Sequence, residues 1–277
     1  MRIRCWGSRG SIPVSGKNYN KYGGDTTCLE IRTKSDDIVI VDAGTGIRRL
    51  GNFLINENRF RYHFIFTHAH WDHLMGFPFF KPLFLTQTEL IMHRCPFDSE
   101  FVATILNKIM SPPYFPLQLK DVEASIRYLK ACPQSFAIGS MTVTPIPLSH
   151  PNAGSGYKFE EDGKTFIFLT DNELGYVHPQ GLAYADYCRQ VKGADLLIHD
   201  AEYTPDEYQE TREWGHSCYT DTNRLALEAG VKRLGLFHLN QDRSDSEVDE
   251  IVLQCQKAGK GGNLDVFAVG SDMVFDL

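Results

Sequence analysis

The stretch THAHWDHLM, residues 67–75, decides the reading of this chain. It sets three imidazoles and one carboxylate, His68, His70, Asp72 and His73, within six residues. Just before it, Tyr62 to Phe66 is rich in aromatic and β-branched residues, which predicts a strand. The cluster therefore begins at a strand end, where rigid folds hold reactive groups on loops. Leu74 and Met75 predict that a helix follows. Imidazole and carboxylate donors suit zinc, manganese or iron, and four of them so close together exceed what one ion uses comfortably, so two metals are expected.

Working outward, strands are predicted at Ile3–Trp6, Thr27–Thr33, Ile38–Val41, Thr142–Ile146, Thr165–Leu169, Leu196–His199, Arg233–Phe237 and Leu264–Val269. Helices are predicted over Ser99–Ile109, opened by Asp98 with Phe101, Ile105 and Ile109 on one face, and over Thr222–Ala229, stopped by Gly230. A third covers Ser244–Lys257, where Val248, Ile251, Val252 and Cys255 recur at helical spacing behind a Ser244–Glu247 capping box. No linker, repeat or charge block divides the chain, so residues 1–277 read as one domain of two β-layers with helices outside.

Composition narrows the functional classes. At 277 residues, 42% hydrophobic and 23% charged, the chain resembles ordinary globular proteins. No apolar run reaches the roughly 18 residues that a membrane-crossing helix needs, and Met1–Arg4 leads into a strand pattern, so the expectation is a cytoplasmic protein without a membrane partner. Seven cysteines, odd in number and without a C-x-x-C pair, indicate neither disulfides nor a thiolate zinc site. A net charge of −7 argues against tracking a long nucleic-acid backbone and leaves small anionic substrates open. The Phe- and Pro-rich segment Gly76–Leu85 reads as packing at a rigid turn, with a wall or lid beside a substrate as the alternative, weakly supported by Ser111–Pro116.

HAHWDH resembles the H-x-H-x-D-H signature of the metallo-β-lactamase superfamily, so the fold class expected is α/β, an αββα sandwich of that type. The family's other ligands are matched in order by His150 in PLSHP, Asp171 in FLTDN and His238 in GLFHLN, each following a predicted strand. The likeness runs from GGDTTCLEI to VFAVGSD, nearly the whole chain. It implies that His68, His70 and His150 hold one divalent metal, that Asp72, His73 and His238 hold a second, and that Asp171 bridges them. Zinc is the first expectation, with manganese or iron as alternatives. The flavodiiron oxidoreductases of this superfamily place a glutamate between the histidines, where this chain has Ala69 or Trp71, so a redox role loses support.

LIHDAEYTPDEY and WGHS are similar to the HEAT and HST elements of the ribonuclease Z and cyclic-nucleotide phosphodiesterase branch. The resemblance implies that His216 faces the scissile phosphate, that Asp200 orients its imidazole, and that Asp72 belongs to the catalytic set. The competing reading makes Asp200 a cap and His216 a solvated loop residue. His63, His93, His178 and His199 read as structural. Ribonuclease Z proteins grip transfer RNA with a protruding arm rich in glycine and basic residues, and nothing here matches it, so no bulky nucleic acid is expected. WGSRGSIPVSGKNYNKYGGDTTCLEI and VDAGTGIRRLG look like small bacterial phosphodiesterases, their glycines serving tight turns. The function expected is a dinuclear metal-dependent hydrolase, a phosphodiesterase cleaving a small, in one version cyclic, nucleotide diester through a metal-bridging hydroxide. The alternatives are hydrolysis of a lactone, thioester or β-lactam, and nucleotide sensing without turnover. The superfamily often dimerises, and no residue here decides whether this chain is a homodimer.

Overall fold

The structure, a computed structural model, describes residues 1–93, 99–129, 133–259 and 262–277. Fourteen strands among these form two seven-stranded sheets. The first contains β1 (Arg2–Gly7), β2 (Cys28–Arg32), β3 (Ile38–Val41), β4 (Arg61–Ile65), β5 (Glu89–Met92), β6 (Ser125–Tyr128) and, on its far edge beside β1, β14 (Val274–Asp276). The second runs in order from β7 (Phe136–Ile138) through β8 (Met141–Pro147), β9 (Ser155–Glu161), β10 (Lys164–Leu169), β11 (Leu196–Asp200) and β12 (Arg233–Phe237) to β13 (Asp265–Ala268). Helices α1 (Ile47–Asn56) and α2 (Ser99–Ile109) belong with the first sheet. With the second belong α3 (Tyr184–Gln190), α4 (Pro205–Thr211), α5 (Tyr219–Glu228) and α6 (Asp245–Ala258).

Period-two alternation explains the layering, since successive strand side chains point to opposite faces. Val39 and Val41 join Ile3, Leu29, Phe166, Phe168, Leu196 and Ile198 in a core between the sheets. Their neighbours Ile38 and Ile40 instead meet Leu50 and Leu54 of α1 on the outer face of the first sheet. Ile167, Leu169 and Leu197 likewise face Tyr187 of α3, Leu225 of α5 and Val248 of α6. Strands apolar on both faces can be covered only by a second sheet on one side and helices on the other, and the result is an αββα sandwich.

Strand direction gathers the functional loops at one edge. β3 and β4 run parallel, as do β10, β11 and β12, and β8, antiparallel to β9, points the same way as β10. Their carboxyl ends therefore open together. Asp42 and His238 stand directly after a strand and Asp171 one residue further on, with φ of 61°, 55° and 50° respectively. L-residues pay for this left-handed conformation, and it turns the chain inward at once.

The predicted strands and helices are present, with ends shifted by a few residues; α5 starts three residues earlier than expected, and α6 keeps its Ser244–Glu247 capping box. Asp98 lies outside the described residues. The helix expected after the histidine cluster is absent: a single 3-10 turn, Trp71–His73, is followed by two more at Phe77–Phe79 and Lys81–Phe84. Pro78 and Pro82 remove the amides a continuous helix needs. Phe77 and Phe80 make edge-to-face contacts with Phe64, so much of Gly76–Leu85 is core packing. Phe79 meets Phe115, and an apolar groove of about 360 Å³ between these two segments is bordered by Arg48 and Lys81. Cys5, Cys28, Cys188, Cys218 and Cys255 are free thiols, and the rest of the seven lie outside the described residues. No described helix is long and apolar enough to cross a membrane.

Candidate metal centre

Residues that follow β4, β8, β10 and β12 converge where the strand ends meet. His68, His70, His150 and Asp171 offer ligand atoms within 4.8 Å of one another, and so do Asp72, His73, Asp171 and His238. Asp171 belongs to both groups, as the resemblance implies for a bridging carboxylate. Its Oδ2 lies 3.5 Å from His68 Nε2 and 3.3 Å from His238 Nε2, while Oδ1 lies 3.2 Å from His73 Nε2. Oδ2 of Asp72 is 3.2 Å from His238 Nε2 and 3.3 Å from His73 Nε2.

Two of these atoms test whether the cluster suits a cation. Nε2 of His68 and Nε2 of His73 are buried and make no hydrogen bond among the described residues, although carboxylate oxygens stand at ion-pair distance. Buried polar atoms are ordinarily satisfied, so orphaned nitrogens aimed at carboxylates fit a cation between them. The donor set, nitrogen plus carboxylate in two groups sharing one aspartate, fits a dinuclear divalent site.

Electrostatics agree with that fit. Burial depresses His68, His70 and His150, the last to about 3, leaving neutral imidazoles able to donate a lone pair. Burial alone would also lower His73 and His238, but Asp72 and Asp171 push both well above the usual imidazole range. Burial would raise those aspartates; the imidazoles around them hold both well below the usual carboxylate range. Both aspartates thus stay ionised, as carboxylate ligands of a cation must be.

Supporting groups aim the ligands. Asp42, buried after β3, accepts from the Thr67 amide and hydroxyl, both at 2.7 Å, and its Oδ2 lies 2.8 Å from Nδ1 of His73. That contact leaves Nε2 of His73 facing the cluster. His150 Nδ1 is 3.0 Å from the Gly215 carbonyl, and the Ser11 amide donates to Asp72 at 3.0 Å. A side chain at Gly10 would place its Cβ 2.3 Å from His238 Nδ1. His216 Nδ1 is 2.8 Å from Oδ2 of Asp200, and its ring stacks on His238 with centroids 4.6 Å apart. Glu202 approaches both rings, 2.8 Å from His238 Nδ1 and 3.3 Å from His216 Nδ1. Burial opposes charge on His216, yet Glu202 and Asp200 raise it to about 9.

All nine residues anticipated from the sequence are thus brought together. Asp42, Thr67 and Glu202 were not anticipated. An aspartate ending the apolar strand Ile38–Val41 was the available signal for Asp42. The four histidines read as structural lie in other contacts: His63 with His93 at 3.0 Å, His178 with Glu173 at 2.8 Å and His199 with Asn172 at 3.1 Å.

Comparison with known proteins agrees with this geometry. Residues 38–239 match the family model described as Beta-lactamase superfamily domain. The chain belongs to this superfamily. Ribonuclease Z of Bacteroides fragilis is 24% identical over 257 residues, covering 77% of this chain and 83% of its own. The metallo-β-lactamase fold protein YhfI of Bacillus subtilis superposes with a TM-score of 0.72 at 16% identity, over 99% of this chain and 98% of its own. A diphosphatase from the PhnP family gives 0.70 at 16% identity, over 100% and 97%.

Proposed function

We propose that this member of the superfamily is a metal-dependent phosphodiesterase with two divalent ions per chain, acting on a small nucleotide diester, cyclic diesters included. The observation that carries this reading is the Asp200–His216 pair, 2.8 Å apart and stacked against His238 beside both ligand groups. An imidazole held by a buried carboxylate at the edge of a metal centre suits protonation of a leaving alkoxide. The names ribonuclease Z and diphosphatase, carried by a relative and by a structural neighbour, support phosphate-ester chemistry. The net charge of −7 favours a small substrate over a long polyanion.

In this proposal His68, His70 and His150 would hold one ion and Asp72, His73 and His238 the other, with Asp171, common to both groups, available to each. Such a pair, when bound, activates water and neutralises charge on the phosphoryl oxygens. The chain's own residues do the rest. Asp42 and Glu202 fix the tautomers of His73 and His238 by engaging Nδ1. Asp200 keeps Nδ1 of His216 occupied, so that Nε2 is the atom from which a proton passes to the departing oxygen. Zinc is the first assignment for these donors, with manganese and iron as alternatives.

The test is steady-state hydrolysis of cyclic and linear nucleotide diesters, with metal content measured on the same sample. Turnover at about two metals per chain is the expected result. No diester turnover with both metals bound would overturn the reading and direct attention to lactones and thioesters.

A further inference from the structure

The loop before His216 displays an indole that the core does not use. Trp214 is 62% exposed. The amides on either side of it, Glu213 N and Gly215 N, donate to the two oxygens of buried Glu173 at 2.9 and 2.8 Å. Tyr208 and His178 bind the same carboxylate at 2.6 and 2.8 Å, so the anchor is itself held. Both flanking residues are left-handed, Gly215 at φ 95° and Glu213 at 74°. For a non-glycine residue that conformation is disfavoured and persists only where its surroundings impose it. A buried carboxylate and a strained turn therefore hold a large apolar ring out in water, an arrangement that folding alone does not reward.

The backbone next to this indole also touches the candidate centre. The carbonyl of Gly215, next in the chain, is 3.0 Å from His150 Nδ1, and His150 Nε2 is 3.0 Å from His70 Nδ1. Trp71 follows His70 directly and is 58% exposed. Two exposed tryptophans thus sit on backbone next to one histidine pair, Trp71 beside His70 and Trp214 beside the Gly215 that contacts His150, while the third tryptophan, Trp6, is buried.

We propose that Trp214 and Trp71 are the specificity-determining residues of this site and bind the aromatic base of a nucleotide diester by stacking. The inference rests on the phosphodiesterase reading and narrows it: diesters that carry a nucleobase are selected over those that do not. Every base has a π-face, so stacking selects for the presence of a base over its identity.

The test uses the metal-loaded full chain. KM is measured for the nucleoside diester turned over best and for the matching ribose diester without a base, in wild type, Trp214→Ala, Trp71→Ala and Trp214→Phe. Each alanine variant should lower the preference for the base-bearing diester, expressed in KM, by roughly 5- to 150-fold, and phenylalanine should restore most of it. An unchanged preference, or an equal loss toward both diesters, overturns the proposal. In parallel, indole fluorescence is titrated with adenosine monophosphate and with ribose phosphate. Quenching by the first alone, lost in Trp214→Ala, is expected; equal response to both ligands, or quenching that survives in both alanine variants, overturns it. If wild type hydrolyses no diester, the phosphodiesterase reading fails by itself, and the fluorescence titration still decides the role of the indoles.

Discussion

Oδ2 of Asp42 lies 2.8 Å from Nδ1 of His73, although 31 residues separate them in the chain. The same carboxylate accepts from the amide and hydroxyl of Thr67, the residue that opens the histidine cluster. One buried side chain thus sets both the start of the metal-binding loop and the orientation of a candidate ligand. Asp42→Asn keeps the shape and loses the charge. It should weaken metal binding by about 10- to 100-fold, as removal of such supporting partners does elsewhere. Chelator competition on the purified variant checks this.

Under the proposed mechanism, a variant at His216 separates catalysis from metal binding. His216→Ala should lower turnover of a good diester by roughly 10²- to 10⁴-fold while both metals stay bound. Metal analysis beside kcat distinguishes this from damage to the ligand set. An unchanged rate would remove His216 from the mechanism.

Asp171 is common to both ligand groups, whereas His70 belongs to one. Asp171→Ala should weaken both sites, and His70→Ala should empty only the first, so metal content separates the two variants. Chelation of wild type should lower the midpoint of thermal unfolding, because ions that bind only the folded chain stabilise it by mass action. Restored zinc or manganese should recover that midpoint.

Gly215 has φ 95°, and a Cβ there would lie 2.0 Å from His150 Nδ1. Gly215→Ala must either displace His150 or move the loop bearing His216. A stability loss of roughly 1–3 kcal/mol, with a larger loss of activity, is expected from denaturant unfolding and kinetics on the same preparation.

His93 is not among the candidate ligands and supplies a pH test. It is buried, 3.0 Å from His63 and stacked on Phe136 at 4.7 Å. Burial, helped by the charges of His63 and Arg127, lowers it to about 3. The unfolded chain then binds a proton below about pH 6.5 that the folded chain refuses, so stability falls as pH drops from there toward the folded value. At about pH 5 the deficit from this one group is about 2 kcal/mol. His93→Gln should show an acid loss smaller by that amount when unfolding is measured at neutral and acid pH. Parallel pH profiles for wild type and variant would refute it.

The features legible before folding are local ones. The continuous apolar runs in segments such as Ile38–Val41 and Thr165–Leu169 specify strands buried on both faces, and hence two layers that need cover. The density of HAHWDH specifies metal chemistry, because clustered ligands need no tertiary partner to be noticed. His150, Asp171, Asp200, His216 and His238 were legible only through their resemblance to a known set. The roles of Asp42, Glu202 and Glu173 were decided by the tertiary structure. Each is a single acidic residue whose partners lie 25 to 42 positions away, at Thr67, His238 and Gly215, and no local period encodes such pairings. The turns after Trp71 also escaped the sequence pattern, since Leu74 and Met75 satisfy a helical start while Pro78 and Pro82 and the packing of Phe77 and Phe80 on Phe64 win. Exposure, which singles out Trp71 and Trp214 from Trp6, is a property of the packed chain alone, because the same side chain is core or surface according to what the fold brings against it.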